Sequence, residues 1–190
     1  MDQDHIRHGQ ETVNHKWDDG IAILTGDAML SLALRLLNQS PNSVPTQMKI
    51  FIEVLLAVCE GQALDKEFET QDTVSIDDYI RMIDLKTGYM IGLAAELGAL
   101  SAKADPIVCK GIRDYGRLVG RAFQIQDDYL EIFSDISKMG KSLKSDIILE
   151  KKTFLIIQAK KKDGRMINKA LQNANIDFEK SMIEIRNYLI

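Results

Sequence analysis

Apolar residues recur at spacings of three and four along most of the chain, and strand-like alternation is nearly absent, so the pattern predicts helices. The first long helix is expected over residues 17–38, with Ile21, Leu24, Ala28, Leu32 and Leu36 on one stripe. NQSPNSVP stops it, because Pro and Asn favour turns. A second helix is expected over about 46–62, followed by a loop at DKEFETQDTV. Ser75, with Asp78 three residues on, resembles a capping box opening a third helix from Ile76 to about Lys103. Asp105 and Pro106 then cap a fourth, running to about Ser134. After the polar link DISKMGKSLKSD come a shorter helix over about 147–161 and weaker helical patterns to the end. With three prolines, no internal repeat and no low-complexity segment, the chain reads as an all-α bundle, one domain over 1–190.

Composition narrows the function classes. At 190 residues and 45% hydrophobic content the chain can bury a sizeable core. The net charge of -4 is mild and the basic residues are scattered, so no nucleic-acid footprint stands out. The start, MDQDHIRHGQET, is polar and unlike a signal peptide, and no later apolar run is expected to span a bilayer. Cys59 and Cys109, each in an apolar helical pattern, are expected to be buried reduced thiols of a cytoplasmic protein.

Two long helices carry side chains that a plain bundle does not need. In the fourth, Leu118, Ala122, Ile125, Tyr129 and Ile132 make an apolar stripe, while Arg117, Arg121, Gln124, Asp128, Glu131 and Asp135 make a polar one. Asp127 and Asp128 share a face with Glu131 and repel it. Either the stripe is solvated, or a divalent cation such as Mg²⁺, with its preference for carboxylate oxygens and phosphate, fills the gap. In the third helix Lys86, beside Thr87, interrupts the apolar stripe of Tyr79, Met82, Met90, Leu93 and Leu97. It either snorkels to water or meets a phosphate. Lys141 and Lys151 could serve solubility alone. Asp2, Asp4, Arg7, His8 and His15 crowd the N-terminus, with Gly9 permitting a turn. His5 and His8 lack the cysteines and close ligands of a structural zinc site, and arginine beside acid suits diphosphate plus Mg²⁺ better.

Taken together, these segments resemble the trans-isoprenyl diphosphate synthases of the polyprenyl synthetase family. The resemblance lies in MD followed by IRHGQETVNH, then ILTGDAML, GQALD, IDLKTGYMIGLAAELGA, FQIQDDYLEIF, GKSLKSD and KKT, in that order, from Asp2 to about Ala159. It implies an all-α isoprenoid-synthase fold, long helices around a central cavity, in which two aspartate-rich motifs hold Mg²⁺ against an allylic diphosphate. Asp127 would ligate the metal directly, Asp128 and Glu131 would hold its waters, and Asp2 would be the last aspartate of the first motif. Arg7, Lys86, Lys141 and Lys151 would grip the allylic diphosphate. His8 stands where a second arginine normally helps bind isopentenyl diphosphate. Thr87 and Gln124 would aim dipoles at the developing carbocation. The implied activity is prenyl transfer in isoprenoid biosynthesis, by a homodimer or heteromer.

The sequence departs from the family pattern at several points. Members are normally longer at the N-terminus, so the first aspartates of the first motif, and the helices that complete the cavity wall, are expected to be lacking. Glu131 replaces an aspartate, His8 an arginine and Lys144 a glycine. The histidine loses the bidentate fork and the permanent charge of arginine. A noncatalytic helical subunit that binds a complete synthase is the second expectation.

Overall fold

The structure, a computed structural model, describes residues 5–39, 44–133 and 151–190. Asp2, Lys141 and Lys144, with the whole of the polar link, lie outside the described residues. The chain divides into two compact units. One comprises Met1–Thr25, Phe68–Ile76 and Ile125–Ile190, the other Gly26–Glu67 and Asp77–Gln124.

The described residues open with a hairpin that the helical periodicity did not predict, β1 (Ile6–Arg7) antiparallel to β2 (Gln10–Glu11). His8 (φ 51°) and Gly9 (φ 73°) make its two-residue turn, the left-handed pair that a tight hairpin of this twist requires. A single turn, α1 (Val13–Lys16), leads to α2 (Asp19–Asn38), whose start is fixed by the Asp18 carboxylate accepting from the amide of Ile21 at 2.8 Å. Helix α2 is apolar nearly all round rather than on one stripe, and none of its residues is buried. By length and composition it is long and apolar enough to cross a bilayer, with a mean hydropathy of 1.6, which corrects the expectation that no run would qualify. The same composition suits a helix packed in a core or against another chain.

Helix α3 runs Val44–Thr70 and absorbs the first part of the expected loop DKEFETQDTV. The stretch looks polar, yet Asp65 and Phe68 are both buried, so it gains tertiary partners that composition does not display. Helix α4 (Ile76–Ile83) begins where Ser75 predicts and passes through a π turn (Asp84–Gly88) into α5 (Tyr89–Ser101). The wider π turn rotates everything after it. Tyr79, Met82 and Leu93 face inward, but Met90 is exposed and Glu96 is buried. Cys59 is exposed and only Cys109 is buried, against the expectation for both.

Helix α6 (Pro106–Phe133) buries the acidic end of its polar stripe and, of its apolar stripe, only Ile132. Leu118, Ala122 and Tyr129 of its apolar stripe are exposed, while Asp128 and Glu131 are 5% and 3% exposed. Helices α7 (Phe154–Asn173) and α8 (Phe178–Leu189) close the chain. Residues 151–153 are not helical, so α7 starts later than the expected position near 147, and it continues well past Lys161. Non-helical Asp163 marks a kink where the expected helix ended, and its carboxylate restarts the helix by accepting from the Met166 amide at 3.0 Å. Ile132, Ile156, Ile167, Leu171 and Ile185 form the core of this unit.

Candidate functional site

The π turn carries two of the predicted site residues, Lys86 and Thr87, and two neighbouring helices of one unit fix it in place. Helix α3 approaches through Gly61, where a Cβ would run into the backbone nitrogen of Lys86. Helix α6 approaches through Gly120, where a Cβ would lie 2.7 Å from Cα of Gly88. One turn earlier in α6, a Cβ on Gly116 would lie 2.9 Å from Cα of Gly92. The glycines let three backbones meet at the turn, closer than any side chain would allow.

Within that packing each predicted side chain has a defined partner. The Lys86 ammonium donates to Oδ2 of Asp65 at 2.6 Å, with the carboxylate the more buried of the two. The Thr87 hydroxyl donates to Oε1 of Gln124 at 3.1 Å. Lys86 therefore neither snorkels freely nor interrupts a core; its charge is matched. At the head of the turn, Asp84 is buried and both its oxygens accept from Arg117, which raises the guanidinium's pKa above its usual value, opposed by partial burial. Arg113 pairs with buried Glu96 at 3.3 Å along the same pair of helices.

The other unit holds the remaining described candidates. Asp127 is half-buried, and Asp128 and Glu131 are buried, on the last turns of α6. Their burial removes the solvated-face reading. Among the described residues, no three His, Cys, Asp or Glu side chains are grouped as a metal site. Arg7 and His8 are exposed on the hairpin and its turn, and half-buried Lys151 precedes α7.

The π turn, the Thr87–Gln124 pair and the buried acidic end of α6 are where the sequence resemblance puts chemistry. The polyprenyl synthetase family model matches residues 1–187. The chain belongs to the polyprenyl synthetase family. It is 37% identical over 161 residues to the short chain isoprenyl diphosphate synthase of Methanothermobacter thermautotrophicus, an alignment covering 84% of this chain and 50% of that protein. It is 39% identical over 163 residues to the geranylgeranyl diphosphate synthase of Saccharolobus solfataricus, covering 83% of this chain and 49% of that one. The fold superposes on the crystal structure of geranylgeranyl pyrophosphate synthetase from Pyrococcus horikoshii with a TM-score of 0.87 and 32% identity, covering 100% of this chain and 59% of that one. The chain thus spans about half the length of the curated relatives it matches.

Within this family member, three residues at the turn escaped sequence reasoning: Asp65, Asp84 and Arg117 as its partners. A signal for them existed. Gly88 and Gly92, like Gly116 and Gly120, are four apart, the spacing at which two helices can touch backbone to backbone. That crossing would have placed Asp84 opposite Arg117.

Proposed function

We propose that this chain carries the allylic-diphosphate half of a prenyltransferase site, one that condenses isopentenyl diphosphate with an allylic diphosphate in isoprenoid biosynthesis. Residues 1–190 then form one partial polyprenyl synthetase domain. The observation that carries this reading is the fixed π turn, with Lys86 matched to a carboxylate and Thr87 tied to Gln124. The names of the curated relatives, isoprenyl and geranylgeranyl diphosphate synthases, support it.

The chemistry suits these residue types. Cleavage of the allylic carbon–oxygen bond sends its electron pair to diphosphate and leaves a delocalised cation. Lys86, Arg7, Lys141 and Lys151 would supply the positive charge that the departing oxygens need. The Thr87 proton is directed to Gln124, so the hydroxyl's lone pairs are available to the cation. The isopentenyl double bond then attacks the allylic carbon, and the proton released from the adduct goes to the departed diphosphate. His8 would help orient isopentenyl diphosphate, more weakly than an arginine.

Asp127, Asp128 and Glu131, with Asp2, offer the all-oxygen donor set that Mg²⁺ takes. Asp128 and Glu131, buried one helical turn apart, share a face, as such a set requires. When bound, the metal supplies charge neutralisation of the diphosphate. The apolar residues exposed on α2 and α6 support a partner chain covering them, either a second copy or a complete synthase. In the latter case the chain is a noncatalytic subunit.

Product formation tests the proposal. The purified 190-residue chain is given Mg²⁺, geranyl diphosphate and labelled isopentenyl diphosphate, and prenyl alcohols are extracted after phosphatase treatment. Extractable label that vanishes in Asp127→Ala, with circular dichroism unchanged, is the expected result. Label that persists in that variant overturns the metal assignment, and no label from folded wild type leaves the subunit reading in its place.

A further inference from the structure

A π turn holds wider i→i+5 hydrogen bonds than the α-helix around it and persists where the surroundings over-determine it. Here the two ends of the turn meet one guanidinium. Asp84, its first residue, accepts from Arg117 through both oxygens, Oδ1 from Nε at 3.3 Å and Oδ2 from Nη2. Tyr89, the residue just after the turn, lies beneath the same guanidinium, 4.1 Å from Cζ to the ring centroid. Arg121 adds a second positive charge, its Nε 3.7 Å from Oδ1 of Asp84. Gly88 leaves room for the carboxylate, since a Cβ there would collide with Oδ1. Between the two held ends stand Lys86 and Thr87.

We propose that the Asp84–Arg117 fork, closed over Tyr89, is a positioning device that fixes the π turn and thereby aims Lys86 at the diphosphate and Thr87 at the reacting allylic carbon. The identity of that ligand rests on the proposed function; the clamping of the turn does not. A bidentate guanidinium–carboxylate pair constrains angle as well as distance, and a stacked arginine is not replaced by lysine in either respect. The competing role is a generic ion pair joining two helices, as Arg113 and Glu96 form nearby. The two roles separate by where a cut is felt.

Amide hydrogen exchange of the ligand-free chain reads the turn directly. Asp84→Asn is expected to speed exchange across 84–89 by about tenfold, with a smaller rise in Arg117→Lys, which keeps the charge and loses the fork. Glu96→Gln, which weakens the neighbouring pair, is expected to leave these amides within about twofold of wild type. In calorimetric titration with inorganic pyrophosphate and Mg²⁺, Asp84→Asn is expected to bind about tenfold more weakly and Glu96→Gln as wild type. Wild-type exchange at 84–89 in both fork variants overturns the proposal, as does an equal rise in Glu96→Gln. If Asp84→Asn fails to fold, Arg117→Lys decides alone. Raised exchange with unchanged pyrophosphate affinity overturns the aiming of Lys86. A wild-type chain that binds no pyrophosphate sinks the functional reading, and exchange still decides the fork.

Discussion

Helices α2 and α7 are each 20 residues long, and they use their residues in opposite ways. Helix α2 is mostly apolar and has no buried residue; Ile23, Leu24 and Met29 are all about two-thirds exposed. Helix α7 carries the run AKKKDGR, yet Ile156 and Ile167 are 0% exposed and Ala159, Ala170 and Leu171 nearly so. What decides burial is whether a complementary face exists within the chain. Helix α8 presents Met182 and Ile185 to α7, and both sides gain the hydrophobic term. No comparable face meets α2 among the described residues, although its apolar surface is the larger. Apolar content therefore measures the need for a partner, not its presence.

The largest effect that could break this comparison is a cavity. Ile167→Ala or Ile185→Ala should lower the urea-unfolding free energy by about 2–5 kcal/mol, because both side chains are fully enclosed. Leu24→Ala, which removes about as much apolar volume from α2, should change it by no more than about 0.5 kcal/mol in a monomer. Equal losses at the two sites would show that α2 is covered in solution.

Helix type was legible in the sequence, because a period of 3.6 survives whichever face ends up inside. Which face that is was less legible. Arg117 and Gln124 belong to a stripe that looks solvated by composition, and their inward turn depends on Asp84, on Thr87 and on glycines distant in sequence. The exposed Met90 and buried Glu96 have the same origin, since a π turn shifts the helical phase and leaves no mark in local propensity. The end of α3 was misread because Asp65 reads as a loop residue until Lys86 is brought to it. Lys86 stood out because it interrupts an apolar stripe, and Thr87 and Gln124 were named by the family resemblance; the residues that hold them have no such signature.

A smaller effect sharpens the contrast within α6 alone, where the same substitution should change sign with position. Gly111 meets nothing within 4 Å of a Cβ, so Gly111→Ala should stabilise the chain by about 0.5–1 kcal/mol through helix propensity. Gly120 faces backbone at 2.7 Å, so Gly120→Ala should destabilise by about 1–3 kcal/mol as the helix is pushed off the π turn. Thermal denaturation of both variants reads the two signs. A stabilised Gly120→Ala would mean that the close crossing of α5 and α6 does not govern the turn.

The smallest expected change in stability carries the most information about α2. Leu24→Glu with Leu32→Glu replaces two exposed leucines, so the folded monomer should lose no more than about 0.5 kcal/mol per site. Association should respond far more, because a charge placed in an apolar contact must be desolvated without a partner. If a second copy covers α2, wild type sediments as a dimer and the double variant as a monomer with unchanged circular dichroism. If wild type is already monomeric and the variant sediments identically, self-association is excluded as the cover. The apolar face would then belong to a different chain, the arrangement that the noncatalytic-subunit reading requires.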